Sequence, residues 1–369
     1  MINVLFVVDS LKQRFGVTSV VMNYYRNINK ADVHIDFLCL PDSELEIVNE
    51  IKDSKGRVFF MPKLGAFNLF AFRKFMKNFF NDNSYDIVHS HFNQIDSIVF
   101  PIAKSKGVRH CVSHSHNTKY SDYFFRSIRN WFLCIPLRYV ADTWAACSFL
   151  AGEFLYGKSY RNSPKKLLIN NAISCEKFAY NVKTRNIVRD QLKMSNEILI
   201  GNVGSLKIQK NQIFLLKLFS FLVSYDKMHN YKLLIVGDGP LKESLKNKAE
   251  ELGVEKSVIW AGQRKDVNSL LQAIDIFILP SLYEGLPVIG IEAQASGLPC
   301  VFSDSITKEV DICNVSFLSL DANIEEWAET VKNLVGFKRI DVSETIKNKG
   351  FDIRKECDKL SNIYKKMIM

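Results

Sequence analysis

The sequence of 369 residues lacks several patterns that would assign a protein to a class at once. None of its eight cysteines forms a C-x-x-C pair, which disfavours zinc ribbons and dithiol redox sites. No low-complexity segment or fixed-period repeat occurs, which argues against disorder and solenoid folds. The longest apolar stretch is interrupted by Arg138 and Asp142, and no basic group precedes the first apolar run. We therefore predict neither a membrane span nor a signal peptide.

Cysteines and charges indicate the compartment and the class of partner. Most cysteines lie inside apolar runs, which is typical of reduced, buried thiols in a cytoplasmic protein. The net charge of +10 is uneven, because residues 1–180 carry 23 Lys and Arg against 15 Asp and Glu. A basic half could attract nucleic acid, an anionic membrane surface or a phosphate-bearing substrate. No nucleic-acid motif accompanies the charge, and we expect no nucleic-acid partner.

Short β-branched and aromatic runs alternate with amphipathic stretches, the pattern of parallel sheets flanked by helices. Length and two tandem series predict an α/β protein with Rossmann-like domains at residues 1–175 and 176–350. Ligands of such sheets bind beyond the carboxyl ends of the strands. The predicted strands are 3–9, 34–40, 57–62, 86–91, 110–115, 143–148, 166–171, 198–204, 232–239, 257–262, 274–280, 299–304 and 315–320. A last helix within 351–369 is predicted from the apolar positions Ile353, Cys357, Leu360, Ile363 and Met367.

The stretch "PSLYEGLPVIGIEAQASGLP" carries two carboxylates, Glu284 and Glu292, in small and apolar surroundings. Pro287 fits the first turn of a helix, and Gly297 followed by Pro299 predicts its end. Glu284 would then lie at the mouth of the helix and Glu292 inside it. Both acids could accept hydrogen bonds from sugar hydroxyls. They could equally be an acid complementing the helix dipole and a solvated helix position.

The mouth of this predicted helix also suits a phosphate. Backbone N–H groups and the positive end of the helix dipole attract anions, and small residues let a ligand approach closely. The residues expected to form this anion site are Gly285, Leu286, Pro287 and Val288.

The same stretch resembles the E-x7-E signature of family-4 retaining glycosyltransferases of the GT-B fold, particularly their capsule and exopolysaccharide branch. The resemblance continues, in order, through "GVTSVVMNYYRNI", "SHSHNT", "NVGSLKIQKNQ", "VGDGPLKESL" and "AGQRKDV". It implies two Rossmann-like domains with a cleft between them, an acceptor-binding first domain, a donor-binding second domain and a C-terminal helix that crosses back to the first. In the family the first acid contacts the donor sugar and the second the nucleotide ribose, which assigns those roles to Glu284 and Glu292.

Further family motifs fall on the loops expected to hold the diphosphate. Gly16 and Val17 match a glycine loop whose backbone approaches the diphosphate, where a Cβ would intrude. Lys210 matches the lysine that neutralises the leaving diphosphate. Ser205 stands where the family usually has arginine, and Lys207 could supply a point charge in its place, but not a fork.

The stretch "VGDGP" has no third glycine at the spacing of a dinucleotide fingerprint, which disfavours a dehydrogenase. By resemblance, Gly237 and Gly239 leave room for the nucleotide. Arg264 in "AGQRKDV" either stacks on the base or lies at the surface.

Five of the seven histidines fall between residues 89 and 116. His89, His91, His114 and His116 have H-x-H spacing on neighbouring strand ends and could bind zinc, although no carboxylate or cysteine completes a set. The resemblance instead directs one histidine to the donor sugar. His116 aligns best with it and His114 next, which leaves His89 and His91 structural or lining the cleft. No D-x-D triplet occurs, which agrees with a diphosphate site that uses no metal or other cofactor.

Two segments, 67–80 and 123–139, interleave aromatic residues with Lys and Arg. They are either core-packed helices with a basic face or peripheral docking elements for the anionic inner face of a membrane.

The resemblance as a whole implies transfer of a hexose or N-acetylhexosamine with retention, in capsular, exopolysaccharide or O-antigen synthesis. The expected donor is a UDP-linked sugar, and the expected acceptor is a saccharide on a polyprenyl diphosphate. Two alternatives stay open: a non-catalytic partner subunit, suggested by Ser205, and a nucleotide-sugar epimerase of similar fold.

Overall fold

The computed structural model describes residues 1–12, 16–65 and 67–369, and the chain divides into two compact units. Unit 1 comprises Met1–Ala172 and Ile353–Met369, and unit 2 comprises Ile173–Asp352. The unit boundaries thus lie at 172/173 and 352/353, against the expected 175/176 and 350/351. Within the described ranges no helix is both long and apolar enough to cross a membrane.

Unit 1 is built on a parallel sheet of seven strands, in the order β3-β2-β1-β4-β5-β6-β7. Most strand residues are buried because helices cover both faces, so the strands are largely apolar, with exceptions such as the polar residues of β4 and β5. The strands are β1 Ile2–Val7, β2 Val33–Cys39, β3 Val58–Phe60, β4 Ile87–Ser90, β5 His110–Ser115, β6 Thr143–Ala146 and β7 Lys166–Leu168. The helices are α1 Gly16–Asn27, α2 Leu45–Asp53, α3 Leu69–Asp82, α4 Asn93–Ser105, α5 Phe124–Cys134, α6 Leu137–Val140 and α7 Phe149–Tyr156.

Unit 2 repeats the design with six parallel strands in the order β10-β9-β8-β11-β12-β13. Its core lies between the sheet and the helices, around Leu215, Phe219 and Trp327. The strands are β8 Ile198–Val203, β9 Tyr231–Val236, β10 Val258–Gly262, β11 Ile276–Leu279, β12 Cys300–Ser303 and β13 Val315–Leu318. The helices are α8 Cys175–Phe178, α9 Val182–Gln191, α10 Gln212–Tyr225, α11 Lys242–Glu251, α12 Val267–Ala273, α13 Val288–Ala295, α14 Ile324–Asn333 and α15 Ser343–Asn348. All the predicted strands are confirmed, with ends that differ by at most three residues.

Strand order reverses once in each sheet, between β1 and β4 in unit 1 and between β8 and β11 in unit 2. The loops that leave adjacent strands at such a point diverge, which opens a crevice at the carboxyl edge of the sheet. The segments 204–211 and 280–287 follow β8 and β11. The residues of these segments that the sequence assigned to the donor site are Ser205, Lys207, Lys210, Glu284, Gly285, Leu286 and Pro287.

The C-terminal helix α16, Ile353–Ile368, returns to unit 1 and packs on α1. Its buried stripe contains Ile353, Cys357, Leu360 and Tyr364. The sequence prediction of Ile363 and Met367 was wrong for this stripe, because both are only half-buried. Tyr364 takes their place since it lies four residues after Leu360, on the same face.

Gln294 of α13 is fully buried and fastens the loop after β12 to the helix. Its Nε2 donates to the carbonyls of Gly290 (2.8 Å) and Val310 (2.9 Å). Its Oε1 accepts from the backbone N–H groups of Ile312 and Cys313, each at 2.9 Å. One side chain thus satisfies several buried backbone groups.

Replacing Gln294 with Leu should lower the free energy of unfolding by about 2–3 kcal/mol. The backbone N–H groups of Ile312 and Cys313 and the carbonyl of Val310 would lose this hydrogen-bond partner. Urea unfolding followed by circular dichroism measures the change. The exposed Gln263→Leu is the control and should stay within about 0.5 kcal/mol of the wild type. Equal stability of the two variants would show that the loop does not depend on Gln294.

Candidate active site

The two loops at the switch point of unit 2 meet through an ion pair. Lys210 ends a 3₁₀ turn, Ile208–Lys210, and its Nζ lies 2.5 Å from Oε1 of Glu284. The side chains are only 13% and 9% exposed, so each charge depends on the other. The structure therefore brings together the lysine expected to bind the diphosphate and the acid expected to bind the sugar.

Gln209 holds the loops after β8 and β11 together beside the Lys210–Glu284 pair. No sequence motif indicated this residue. Its backbone carbonyl accepts from the N–H of Leu282 (2.8 Å). Its side-chain Nε2 donates to the carbonyl of Tyr283 (3.0 Å) and, over 3.4 Å, to Oε2 of Glu284. The only sequence signal for Gln209 was its position beside Lys210.

Helix α13 begins at Val288, one residue later than expected, and Pro287 is its N-cap. Pro287 has no N–H, so the first helical N–H groups belong to Val288 and Ile289. Gly285, Leu286, Pro287 and Val288 are all buried. The helix ends as predicted: Ser296 is the C-cap, and Gly297 follows with φ of 70°.

Glu292 lies in the second turn of α13 and is half-buried. Burial raises the pKa of its carboxyl to about 7, which the charge of Lys177 partly opposes. Among the described residues, none donates a hydrogen bond to this carboxyl. Glu292 is therefore an acceptor whose charge changes near neutral pH.

Gly237 and Gly239 have a packing reason to be glycine. The loops after β8 and β9 continue the sheet's hydrogen bonds, from Gly204 N to Val236 O (2.9 Å) and from Leu206 N to Asp238 O (3.0 Å). A Cβ on Gly237 would lie 2.0 Å from the Gly204 carbonyl oxygen, and one on Gly239 would lie 2.4 Å from that of Leu206. The two glycines let these loops touch. That they also leave room for a nucleotide stays a prediction.

Ser205 and Lys207 lie half-buried in the turn that leads to Lys210. The carbonyl of Ser205 accepts from Lys207 N (2.9 Å) and from Gln212 Nε2 (3.3 Å). The turn is thus held by backbone and Gln212 contacts, without the side chain of residue 205.

Arg264 lies in the loop after β10 and forms a two-fold contact with Asp266, at 2.8 and 2.6 Å. Its side chain is 43% exposed. The guanidinium is held at the surface of unit 2, and stacking on a base stays a prediction.

Gly16 and Val17 form the start of α1, whereas residues 13–15 of the same loop lie outside the described residues. Gly16 is exposed, and no described atom comes within 4 Å of where its Cβ would be. Packing within the described chain therefore does not demand glycine at this position.

In unit 1, four histidines form one stacked cluster at the carboxyl ends of β4 and β5. The β4–β5 register pairs Ser90 with Ser113, so His89, His91, His114 and His116 share a face of the sheet. The centroids of the closest rings, His114 and His116, are 4.1 Å apart. His91 Nδ1 lies 2.8 Å from His116 Nε2, and His89 Nε2 lies 3.1 Å from His114 Nδ1.

The cluster is neutral and only partly satisfied. Burial lowers the pKa of all four rings, to about 3 for His89 and His116. Three buried nitrogens have no hydrogen-bond partner among the described residues: His91 Nε2, His114 Nε2 and His116 Nδ1. One nitrogen from each of His89, His91 and His114 lies within 4.8 Å of the others, so the geometry leaves the zinc alternative open.

Comparison with known proteins identifies the family. The family model "Glycosyl transferases group 1" matches residues 183–336. The putative glycosyltransferase EpsF of Bacillus subtilis (strain 168) is 34% identical over 366 residues, which cover 95% of this chain and 93% of that relative. An Escherichia coli relative, the UDP-Gal:alpha-D-GlcNAc-diphosphoundecaprenol alpha-1,3-galactosyltransferase, is 26% identical over 375 residues, with coverage of 96% and 94%.

Solved structures agree on the fold. Anabaena HepE in complex with UDP and glucose aligns with a TM-score of 0.80 at 17% identity, covering 99% of this chain and 100% of that one. WaaG, a glycosyltransferase involved in lipopolysaccharide biosynthesis, aligns with a TM-score of 0.75 at 16% identity and coverage of 98% and 99%. Two parallel-sheet Rossmann-like units, the matched family model and a relative of nearly full length agree, and the chain belongs to the group 1 glycosyltransferases, enzymes of the GT-B fold.

Proposed function

We propose that this glycosyltransferase moves a hexose or N-acetylhexosamine from UDP to a lipid-linked saccharide, with retention, in polysaccharide synthesis. The observation that carries the proposal is the Lys210–Glu284 pair beside the first turn of α13. It puts a cation suited to a diphosphate and a carboxylate suited to sugar hydroxyls in direct contact. Glu292, in the second turn of α13, supplies an acceptor for a ribose diol.

In the proposed reaction, negative charge grows on the diphosphate as the glycosidic bond breaks. The ammonium of Lys210 and the N–H groups at the start of α13 stabilise that charge. Glu284 accepts hydrogen bonds from the sugar. The departing phosphate takes the proton of the acceptor hydroxyl. These groups provide the charge without a metal ion, and we propose metal-independent transfer.

The choice of substrates rests on the relatives. Anabaena HepE binds UDP with glucose, and the E. coli relative is named for a UDP-galactose donor and a diphosphoundecaprenol acceptor. Because the latter relative covers nearly the whole chain, we assign the same substrate classes to this protein: a UDP-sugar and a saccharide on a polyprenyl diphosphate.

A membrane-bound acceptor requires contact with the membrane, and α5 offers a surface for it. Helix α3 packs Phe72, Met76, Phe79 and Phe80 into the core, whereas Phe67 and Phe70 at the start of segment 67–80 are exposed, so only the later part of the segment agrees with the core-packed interpretation. Helix α5 buries only Asn130 and Cys134. Its exposed aromatic residues lie among Arg126 and Arg129, a combination that suits the headgroups of anionic lipids. The exposed apolar residues of this α5 surface are Tyr123, Phe124, Phe125, Ile128, Trp131, Phe132 and Ile135.

Transfer by the purified protein is the direct test of the proposed function. A panel of UDP-sugars with a polyprenyl-diphosphate saccharide should yield one product, and its anomeric configuration, read by NMR, should match that of the donor. Lys210→Gln, which keeps a hydrogen-bond donor for Glu284, should reduce kcat by on the order of 10²–10³. The control, Lys246→Ala, removes an exposed ion pair on α11 and should retain wild-type turnover.

Other outcomes of this assay support the alternatives. Donor binding without transfer would indicate a non-catalytic partner subunit. Formation of an epimer of the UDP-sugar without acceptor would indicate an epimerase. Normal turnover of Lys210→Gln would show that Lys210 does not act on the diphosphate.

The affinity for a UDP-sugar should rise between pH 6 and pH 8. The carboxyl of Glu292, with its pKa of about 7, is mostly protonated at pH 6 and becomes a charged acceptor for the ribose hydroxyls as the pH rises. About a tenth is ionised one unit below the pKa, so the change should reach roughly tenfold. Isothermal titration calorimetry measures it. Glu292→Gln should flatten the dependence of affinity on pH, whereas Glu326→Gln, at an exposed position, should not. An unchanged slope in Glu292→Gln would show that Glu292 does not contact the nucleotide.

Removing the aromatic residues of the α5 surface should weaken membrane binding. In sedimentation with phosphatidylglycerol–phosphatidylcholine vesicles, Phe125→Ser combined with Phe132→Ser should lower the bound fraction several-fold, because each change removes apolar area from the lipid. Ile187→Ser, which removes an apolar residue of unit 2 about as exposed as Phe132, should bind as the wild type does. Equal binding of both variants would locate the membrane contact elsewhere.

A further inference from the structure

A chain of hydrogen bonds leads from the C-terminal helix into the histidine cluster. The hydroxyl of Tyr364 on α16 lies 2.5 Å from Nδ1 of His89. The other nitrogen of His89, Nε2, lies 3.1 Å from Nδ1 of His114. Tyr364 and His89 are 275 residues apart in sequence, and only the return of α16 to unit 1 brings them together.

The direction of the first hydrogen bond follows from what Tyr364 can do with its proton. Tyr364 is fully buried, and Nδ1 of His89 is the only acceptor that the described residues offer its hydroxyl. If the hydroxyl only accepted, its own proton would be buried without a partner, at a cost in free energy. Tyr364 therefore donates, and His89 carries its proton on Nε2.

The second hydrogen bond then has one direction as well. His89 Nε2–H donates to His114 Nδ1, so neutral His114 must carry its proton on Nε2. That nitrogen is buried and has no acceptor among the described residues. The tyrosine of α16 thus decides, through His89, that His114 presents an N–H group.

The neighbouring pair, His91 and His116, shares one proton between Nδ1 of His91 and Nε2 of His116. Whichever ring donates, the two outer nitrogens are one N–H donor and one bare acceptor. Together with His114, the cluster offers two donors and one acceptor that the described residues leave unused. Hydroxyl groups, which both donate and accept, complement this set.

We propose that Tyr364 is a positioning residue, which holds His89 and His114 in the Nε2–H tautomer so that the cluster can bind the hydroxyls of a sugar substrate. The sugar part rests on the proposed function, whereas the tautomer part stands on the geometry of unit 1 alone. Tyr364 touches no substrate and acts only through His89.

Tautomers are read directly from two-bond ¹H–¹⁵N spectra of protein labelled with ¹⁵N-histidine, with signals assigned by single substitutions. In the wild type, His89 and His114 should both show the Nε2–H pattern. In Tyr364→Phe the donor to His89 Nδ1 is lost, and both signals should move towards a mixture of tautomers. Tyr24→Phe is the matched control, because its buried hydroxyl on α1 donates to the carbonyl of Asn170 and not to a histidine.

Kinetics then tests the link to the sugar. Tyr364→Phe should raise the KM for the UDP-sugar about three- to tenfold with a smaller change in kcat, because a His114 with mixed tautomers would lose about one neutral hydrogen bond to the sugar. Tyr24→Phe should leave both constants unchanged. A purely structural role of Tyr364 would lower thermal stability without moving the tautomers.

Three results would overturn the proposal: an Nδ1–H pattern for His89 in the wild type, tautomers unchanged in Tyr364→Phe, or metal-type shifts of the cluster when ZnCl₂ alone is added. Shifted tautomers with an unchanged KM would refute the sugar contact but would still support control of the tautomers by Tyr364. Because the spectra need no turnover, they test control of the tautomers by Tyr364 even if the protein does not catalyse the proposed transfer.

Discussion

The buried ion pair between Lys210 and Glu284 is the constraint on which the candidate site depends. Two opposite charges withdrawn from water are tolerated only together, since either one alone would be buried without compensation. The pair therefore fixes the loop after β8 against the loop after β11, at the point where the strand order reverses. Gln209 adds a backbone and a side-chain bond between the same loops. A phosphate and a sugar would meet a cation and a carboxylate that are already held in place.

The remaining loops of this edge are positioned by close backbone contact. Gly237 adopts φ of 139° and lies against the carbonyl of Gly204, which no side chain would permit. Its N–H donates to the carbonyl of Gly262, so the loops after β8 and β9 are hydrogen-bonded to each other and to the last residue of β10. The rigidity of the edge thus comes from backbone bonds that continue beyond the strands, and side chains such as Lys210 project from a fixed support.

The sequence predicted the strands well because parallel strands covered on both faces are apolar throughout and stand out from their surroundings. It predicted α13 from its proline and glycine, and it selected Lys210 and Glu284 without revealing that they bind each other. Local patterns could not show contacts between distant segments. The hydrophobic pattern of α16 favours Ile363 over Tyr364 because tyrosine carries a polar hydroxyl, yet Tyr364 is the residue on the buried stripe. Only the fold shows that Tyr364 contacts His89.

Ser205, the departure from the family pattern, lies in a turn that contacts of its backbone hold together. Its carbonyl, not its hydroxyl, holds the turn through Lys207 N and Gln212 Nε2. An arginine there would add a second full charge near Lys210 and bring a planar fork to a phosphate. With serine, the positive charge of the turn comes from Lys207 and Lys210 alone. Since an ammonium acts as a point charge with rotatable donors, the proposed recognition of a diphosphate would depend more on the N–H groups of α13, whose directions are fixed by the helix.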